Sequence, residues 1–412
     1  MSGMTLSEEL QWRGMIKDKT FEDTTWLDIP KSFYLGSDVS SDSLTIGNLA
    51  IYMSALQLAK HGWKTVLLVG GATSLIGDPG GKDEERELKS VEEIEQNVTK
   101  VKAQVERLFA NEQFELVNNY EWFKDIKYLE FLRDVGKNFS MTELIQRDFI
   151  NTRMNDGGSG ISYAEFSYSL IQGYDFWQLF KNKEVELQIG GSDQWGNMLS
   201  GVLLVRKKEG KEVHALSMPL VVNKSTGKKF GKSEEGAVWL DESKTSVYKF
   251  YQFWINCDDE GVESYLKTYT LLNREEIEEL ITKHRDSPRE RFAQKRLAKE
   301  VTTLVHGSQK ADAVNKVSDV LFGKESFQNL DKEEVDMLKS ELPKVDVDNN
   351  ESLLDILVKS GLATSKSEAI RSIDSGAVYI NGVRVTTHDE KTSDNLYLIK
   401  YGKNSFVIVE AA

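Results

Sequence analysis

The chain contains several stretches whose side chains could do chemistry on a small polar ligand. In EFSYSLIQGYDFWQLF, Tyr168, Gln172 and Asp175 stand at i, i+4 and i+7, so they share one face of a helix that is otherwise aromatic and apolar. Three polar groups turned together towards a core need partners, which either an internal network or a bound ligand can supply. Spacing alone leaves both open. In VGGATSLIGDPGGKDEER, glycines at 70, 71, 77, 80 and 81 permit close approach of a ligand, Asp78 suits an ammonium, and Lys82 and Arg86, four apart, suit phosphate oxygens. QIGGSDQWGN places Asp193 and Gln194 just after a predicted strand, where a carboxylate can accept from ribose hydroxyls. NKSTGKKFGKSEEG carries Lys224, Lys228, Lys229 and Lys232 among small residues, suited to gripping a phosphate in a transition state and then releasing it. Taken singly, each also fits a plain turn or a solvated loop.

The elements that must position these groups follow from pattern. SFYLGSD and KTVLLVGG read as short strands emptying into glycine-rich loops, and LTIGNLAIYMSALQLAKHG between them reads as a helix closed by Gly62. Strand, helix and strand in that order predict a parallel α/β sheet. From SVYKFYQFWIN to about residue 325 the spacing is helical. DKEEVDMLKSELPKVDVDNNES reads as a linker, followed by two short helices and a hairpin turning on Asn381-Gly382. The expected partition is an α/β domain over 1–222, the lysine-rich loop with a helical domain over 223–325, a linker over 326–350 and a small α+β unit over 351–412.

Composition narrows the function classes. Cys257 is the single cysteine, which rules out an intramolecular disulfide. There is no signal-like start and no apolar run of roughly 18 residues, which predicts a soluble, cytoplasmic protein with no membrane partner. The net charge of −14 argues against a generally basic coat, but residues 351–412 carry 7 Lys/Arg against 8 Asp/Glu and are relatively less acidic, which permits a nucleic-acid partner there.

In this order and at these separations, the stretches resemble the bacterial-type tyrosyl-tRNA synthetases over nearly the whole chain, about 8 to 405. KFGKS at Lys229–Ser233 resembles the class I signature loop, GDP with Lys82 and Arg86 resembles the family's second loop, and the tail resembles an S4-type RNA-binding domain. The resemblance implies a Rossmann-like catalytic domain and ligation of tyrosine to tRNA(Tyr) by way of tyrosyl-adenylate. It implies ATP with Mg2+ as substrate, no tightly bound cofactor, no resident metal site, and a homodimer.

The resemblance also implies roles. Tyr34 and Asp175 would bind the phenolic hydroxyl; Asp78, Tyr168 and Gln172 the ammonium; and Gln194 the carboxyl end. Asp38, Ser40, Gly47, Gly191 and Asp193 would line the nucleotide, and Lys82, Arg86, Lys229 and Lys232 would neutralise pyrophosphate. Lys359, Lys366, Arg371 and Arg384 would meet tRNA. Rejection of phenylalanine for want of its hydroxyl is this family's established property and is not read from these residues.

One position departs from the family. Where its first signature loop has HIGH or HIGN, this chain has Thr45, Ile46, Gly47 and Asn48. A threonine hydroxyl is shorter than imidazole and uncharged, yet it can donate. Loss of one well-placed donor costs about 10²- to 10³-fold in rate. Two readings stay open: an active enzyme working with Thr45, and a weakened or inactive paralogue that binds tyrosine, nucleotide or RNA.

Overall fold

A computed structural model describes the chain except residues 1–2, 80–88, 146–149, 152–153, 155–159, 229, 234–235, 349–350, 391–394, 403–404 and 412, and gives only the backbone at 232, 233 and 411. Lys82, Arg86 and Lys229, and the side chain of Lys232, therefore lie outside the described residues. The chain forms two compact units, residues 1–246 with 253–301 and residues 247–252 with 302–412.

The first unit is built on a parallel sheet in the order β3-β2-β1-β4-β5, with β1 Ser32–Asp38, β2 Lys64–Gly70, β3 Phe114–Asn118, β4 Leu187–Gly191 and β5 His214–Met218. β2 and β4 are buried along almost their whole length, as strands covered on both faces must be, and their near-continuous apolar sequences reflect it. The chain runs outwards from β1 through β2 to β3, then returns to β4 on the other side of β1, which makes the β1–β4 boundary the switch point where ligands of such sheets bind. The ladders open there. β1 stays paired with β2 as far as Asp38 and Gly70, whereas its pairing with β4 ends at Leu35 and Ile189.

Two helices support this crevice. Tyr163–Lys183 and Trp195–Glu209 pack closely because small residues meet: a Cβ on Gly201 would come 2.7 Å from Phe176 Cβ, and one on Gly173 would come 3.2 Å from the Ser200 backbone. Phe176, Trp177, Leu179, Leu204 and Val205 from these helices join Tyr34, Val66 and Leu68 from the sheet in one core. The helix Ile46–Lys60 follows β1 with Thr45 as its N-cap residue, and Gly62 at φ 83° supplies the left-handed turn into β2. A short ribbon, β6 Lys232–Ser233 with β7 Gly236–Ala237, completes the strands of this unit. No helix among the described residues is long and apolar enough to cross a membrane.

The second unit holds a mixed sheet in the order β10-β9-β11-β12-β8, from β8 Lys344–Val347, β9 Val378–Ile380, β10 Val383–Arg384, β11 Leu396–Tyr401 and β12 Ser405–Ala411. The helices Leu353–Lys359 and Lys366–Asp374 precede the β9–β10 hairpin, whose turn puts Asn381 at φ 49° and Gly382 at φ 84°, as Asn-Gly predicts. Within 326–350, expected as a linker, the described residues 326–348 are instead structured: they contain the helix Lys332–Glu341 and β8, which pairs in parallel with β12. Its acidic residues hide an amphipathic helix whose Leu338 is fully buried beside Phe327, Val317 and Ile408.

Candidate active site

The polar face of the helix Tyr163–Lys183 is buried at Tyr168 and Asp175 and partly exposed at Gln172. Asp175 accepts from Trp122 Nε1 at 2.8 Å and from Asn119 Nδ2 at 3.1 Å. Asn119 follows β3 and is itself fixed, accepting from Ala72 N at 2.7 Å and donating to Thr73 Oγ1 at 3.2 Å. Burial is the largest influence on Asp175 and pushes its carboxyl up to about 8, although both donors favour the carboxylate. Nearby, the fully buried Tyr34 hydroxyl has no hydrogen-bond partner among the described residues, and burial together with the Asp175 charge raises its pKa well above the ordinary value. A phenol placed here would supply both groups with a partner.

A second polar knot lies at the carboxyl ends of β2 and β4. Asp78, buried after β2, accepts from Gln194 Nε2 and, at 3.3 Å, from Asn197 Nδ2. Asn197 also donates to Gln194 Oε1 at 3.2 Å and accepts from Ser169 Oγ at 2.8 Å. Tyr168 does not meet Asp78 by a hydrogen bond; its hydroxyl donates to Asp38 Oδ2 at 2.8 Å. Sequence reasoning missed Asn119, Trp122 and Asn197. Asn119 directly follows β3, a strand that the sequence reading did not assign.

The rim at the end of β4 is more open. Asp193 is exposed, and a Cβ on Gly191 would fall 2.5 Å from its Oδ1 and 3.1 Å from Ile51 Cδ1, so glycine keeps this rim clear. On Gly70 a Cβ would come 2.2 Å from Thr73 Oγ1 and 2.6 Å from Asp38 Oδ1. At the start of the helix Ile46–Lys60, Thr45 N and Thr45 Oγ1 both donate to Asn48 Oδ1, at 2.9 and 2.8 Å. The backbone donor fixes which amide atom faces inwards, so the threonine hydroxyl is spent on Asn48 and the exposed Asn48 retains its NH2 as a donor. Gly231, at φ 99°, sits against this turn: a Cβ there would meet Ile46 Cγ1 at 2.9 Å and Gly47 N at 3.5 Å. Ile46 N donates to Val238 O at 3.1 Å and Leu240 N to Leu44 O at 2.9 Å, joining the segment after the lysine-rich loop to the helix start. Phe230 anchors the loop's other side by stacking on Tyr265, with centroids 4.2 Å apart.

In the second unit, the tail cations are unequal. Lys359 pairs with Glu351 at 3.1 Å and Lys366 with Asp355 at 2.6 Å. Arg371 bonds its own helix at Ser367 O, and the guanidinium of Arg384 packs where a Cβ on Gly376 would stand.

Residues 29–323 match the family described as tRNA synthetases class I (W and Y). The chain belongs to this family of class I tRNA synthetases. Residues 334–409 match a second family, the tyrosine--tRNA ligase SYY-like C-terminal domain. Among curated relatives of the synthetase chain, the tyrosine--tRNA ligases of Lactococcus lactis subsp. cremoris (strain SK11) and Streptococcus pyogenes serotype M5 (strain Manfredo) are each 41% identical, over 98% of this chain and 100% of theirs. Among solved structures, a C-terminally truncated mitochondrial tyrosyl-tRNA synthetase from Aspergillus nidulans is similar at 31% identity and a TM-score of 0.68, covering 75% of this chain and 92% of its own.

Proposed function

We propose that the chain is a tyrosine--tRNA ligase, which uses ATP to convert tyrosine to tyrosyl-adenylate and passes the tyrosyl group to the 3′ end of tRNA(Tyr). The observation that carries this reading is the pair of Tyr34 and Asp175. A buried carboxyl still lacking enough donors to offset burial, beside a buried hydroxyl without a partner, suits a phenol that both donates and accepts. An indole has no hydroxyl to meet that need. Asp78 would receive the ammonium, with Gln194 and Asn197 orienting its carboxylate, and Tyr168 would act beside it by holding Asp38. Gln172 completes this helical face.

The tyrosine carboxylate would attack the α-phosphate of ATP, displacing pyrophosphate, and no protein nucleophile is required. ATP would enter as its Mg2+ complex. Gly47, Gly191, Ser40, Asp38 and Asp193 would line the nucleotide, and Lys82, Arg86, Lys229 and Lys232 would balance charge on the leaving pyrophosphate. In place of the family's first histidine we assign the donor role to the Asn48 amide, positioned by Thr45 at a helix N-terminus whose dipole favours anions. This revises Thr45 from a direct donor to a positioning residue.

In the division of labour we propose, 1–222 forms the adenylate, 223–325 carries the signature loop and the anticodon-side helices, and Arg371 and Arg384 contribute more to tRNA contact than the ion-paired Lys359 and Lys366. We also propose a homodimer through the face that bears Tyr128 and Leu129, 62% and 75% exposed. Sedimentation would show a dimer that Leu129→Asp separates.

Tyrosine-dependent exchange of labelled pyrophosphate into ATP tests the activity. The expected result is exchange well above a control without tyrosine. Folded protein that shows none would leave a tyrosine- or RNA-binding paralogue instead.

A further inference from the structure

Asp42, three residues before Thr45, takes one lysine on each carboxylate oxygen: Lys100 Nζ lies 2.7 Å from Oδ2 and Lys244 Nζ 2.6 Å from Oδ1. The two cations come from different places. Lys100 stands on the helix Val91–Leu108, and Lys244 on the turn that follows the segment leaving β7. The same three pieces of chain meet through neutral bonds. Gln104, one turn beyond Lys100, accepts from Leu44 N at 2.9 Å and donates to Ser43 Oγ at 3.1 Å, and Ser43 Oγ accepts from Asp241 N at 3.2 Å. Lys244 also lies 5.0 Å from the centre of the Trp239 ring, and Trp239 bridges to Thr45.

This junction is poorly placed to serve stability alone. The side chains of Asp42, Lys244 and Lys100 are 25%, 32% and 55% exposed, and ion pairs in such surroundings add little net stability. They do fix orientation, because one carboxylate with a cation on each oxygen cannot rotate without breaking a pair. What they orient is the loop that carries Thr45 and Asn48 and the segment that emerges from the lysine-rich loop. We propose that Asp42 is a positioning residue for tyrosine activation: with Lys100 and Lys244 it docks the segment 236–245 on the loop before the helix Ile46–Lys60, so that the two phosphate-side parts of the site share one frame. This inference rests on the activation reading above.

The test is pyrophosphate exchange with full ATP and tyrosine titrations on Asp42→Asn, Lys244→Met and the double variant, beside equilibrium tyrosine binding and Tm. Small misplacements of reacting groups can cost about 10²-fold. Each single variant should therefore lose at least about tenfold in kcat, with tyrosine affinity unchanged and Tm nearly unmoved, and the double variant should be no worse than the poorer single one. Lys244→Met alone carries the test should Asp42→Asn not fold. Wild-type kcat in the singles, or losses of tyrosine affinity that track a lowered Tm, or multiplying losses in the double variant, would each overturn the inference. A wild-type protein without exchange would overturn the activation reading first, and this inference with it.

Discussion

The end of the site proposed for the phenol and the end proposed for the phosphates are built on opposite principles. At that first end, Asp175 is buried on a 21-residue helix and gripped by Asn119, just after β3, and Trp122, on the short helix Tyr120–Phe123. At the phosphate end, Asn48 is exposed, Thr45 is half-buried, and their mutual bonds are local to one helix turn. A buried carboxyl held by two fixed donors resists rearrangement and, with a donor still to gain, selects what binds. Exposed groups at a helix start can follow a charge as it develops. In the function proposed, the difference would separate selection of the amino acid from acceleration of its activation.

The largest expected effect attacks the first of these. Asp175→Asn forces an amide NH2 against Trp122 or Asn119, which are both donors. Tyrosine affinity should fall by about 10²-fold or more in an equilibrium titration, as losing a charged, buried acceptor costs about 2–4 kcal/mol. Ligand-free stability should move the other way at high pH. Folded Asp175 holds its proton up to about 8 whereas the ordinary value is 3.8, so the folded state binds the extra proton between these values and stability falls as pH rises through that window. At pH 8, ligand-free Asp175→Asn should then melt above the wild type in calorimetry. Tyrosine affinity of the wild type should increase with pH up to about 8 as the carboxylate forms, and that slope should vanish in the variant.

Asn48→Ala should lower the rate of adenylate formation by about 10²-fold in single-turnover measurements, on the scale of losing one aimed donor, while tyrosine affinity stays as it was. Gly201→Val sharpens the comparison from beneath: the added atoms collide with Phe176, next to Asp175, and should cost about 1–3 kcal/mol of stability by denaturant titration, with tyrosine affinity weakened more than the ATP response. The smallest effect expected is from Thr45→Ala, under tenfold in activation rate, because Asn48 keeps its amide and the bond from the residue-45 backbone N–H and loses only the hydroxyl's.

How much could be read from the chain follows the same divide. The face bearing Tyr168, Gln172 and Asp175 was legible because helical period alone aligns them, and the sheet with its glycine-rich exits was legible from apolar runs. Partners drawn from far along the chain were not. Nothing local in EWFKD marks Trp122 as a donor to Asp175, 53 residues on, and nothing in SSDSLT announces that Asp42 would meet Lys100 and Lys244. Nor does the helix itself show that Tyr168 bonds Asp38, a carboxylate that β1 supplies. The acidic stretch before residue 350 was misread for a simpler reason: one buried face of Leu338 and its neighbours suffices for a helix, however charged the rest.

Whether the two ends are separable is decided by tyrosine affinity and single-turnover adenylate formation measured on Asp175→Asn and Asn48→Ala side by side. The first variant should lose affinity and the second only rate. Equal losses of affinity in both variants would contradict that separation.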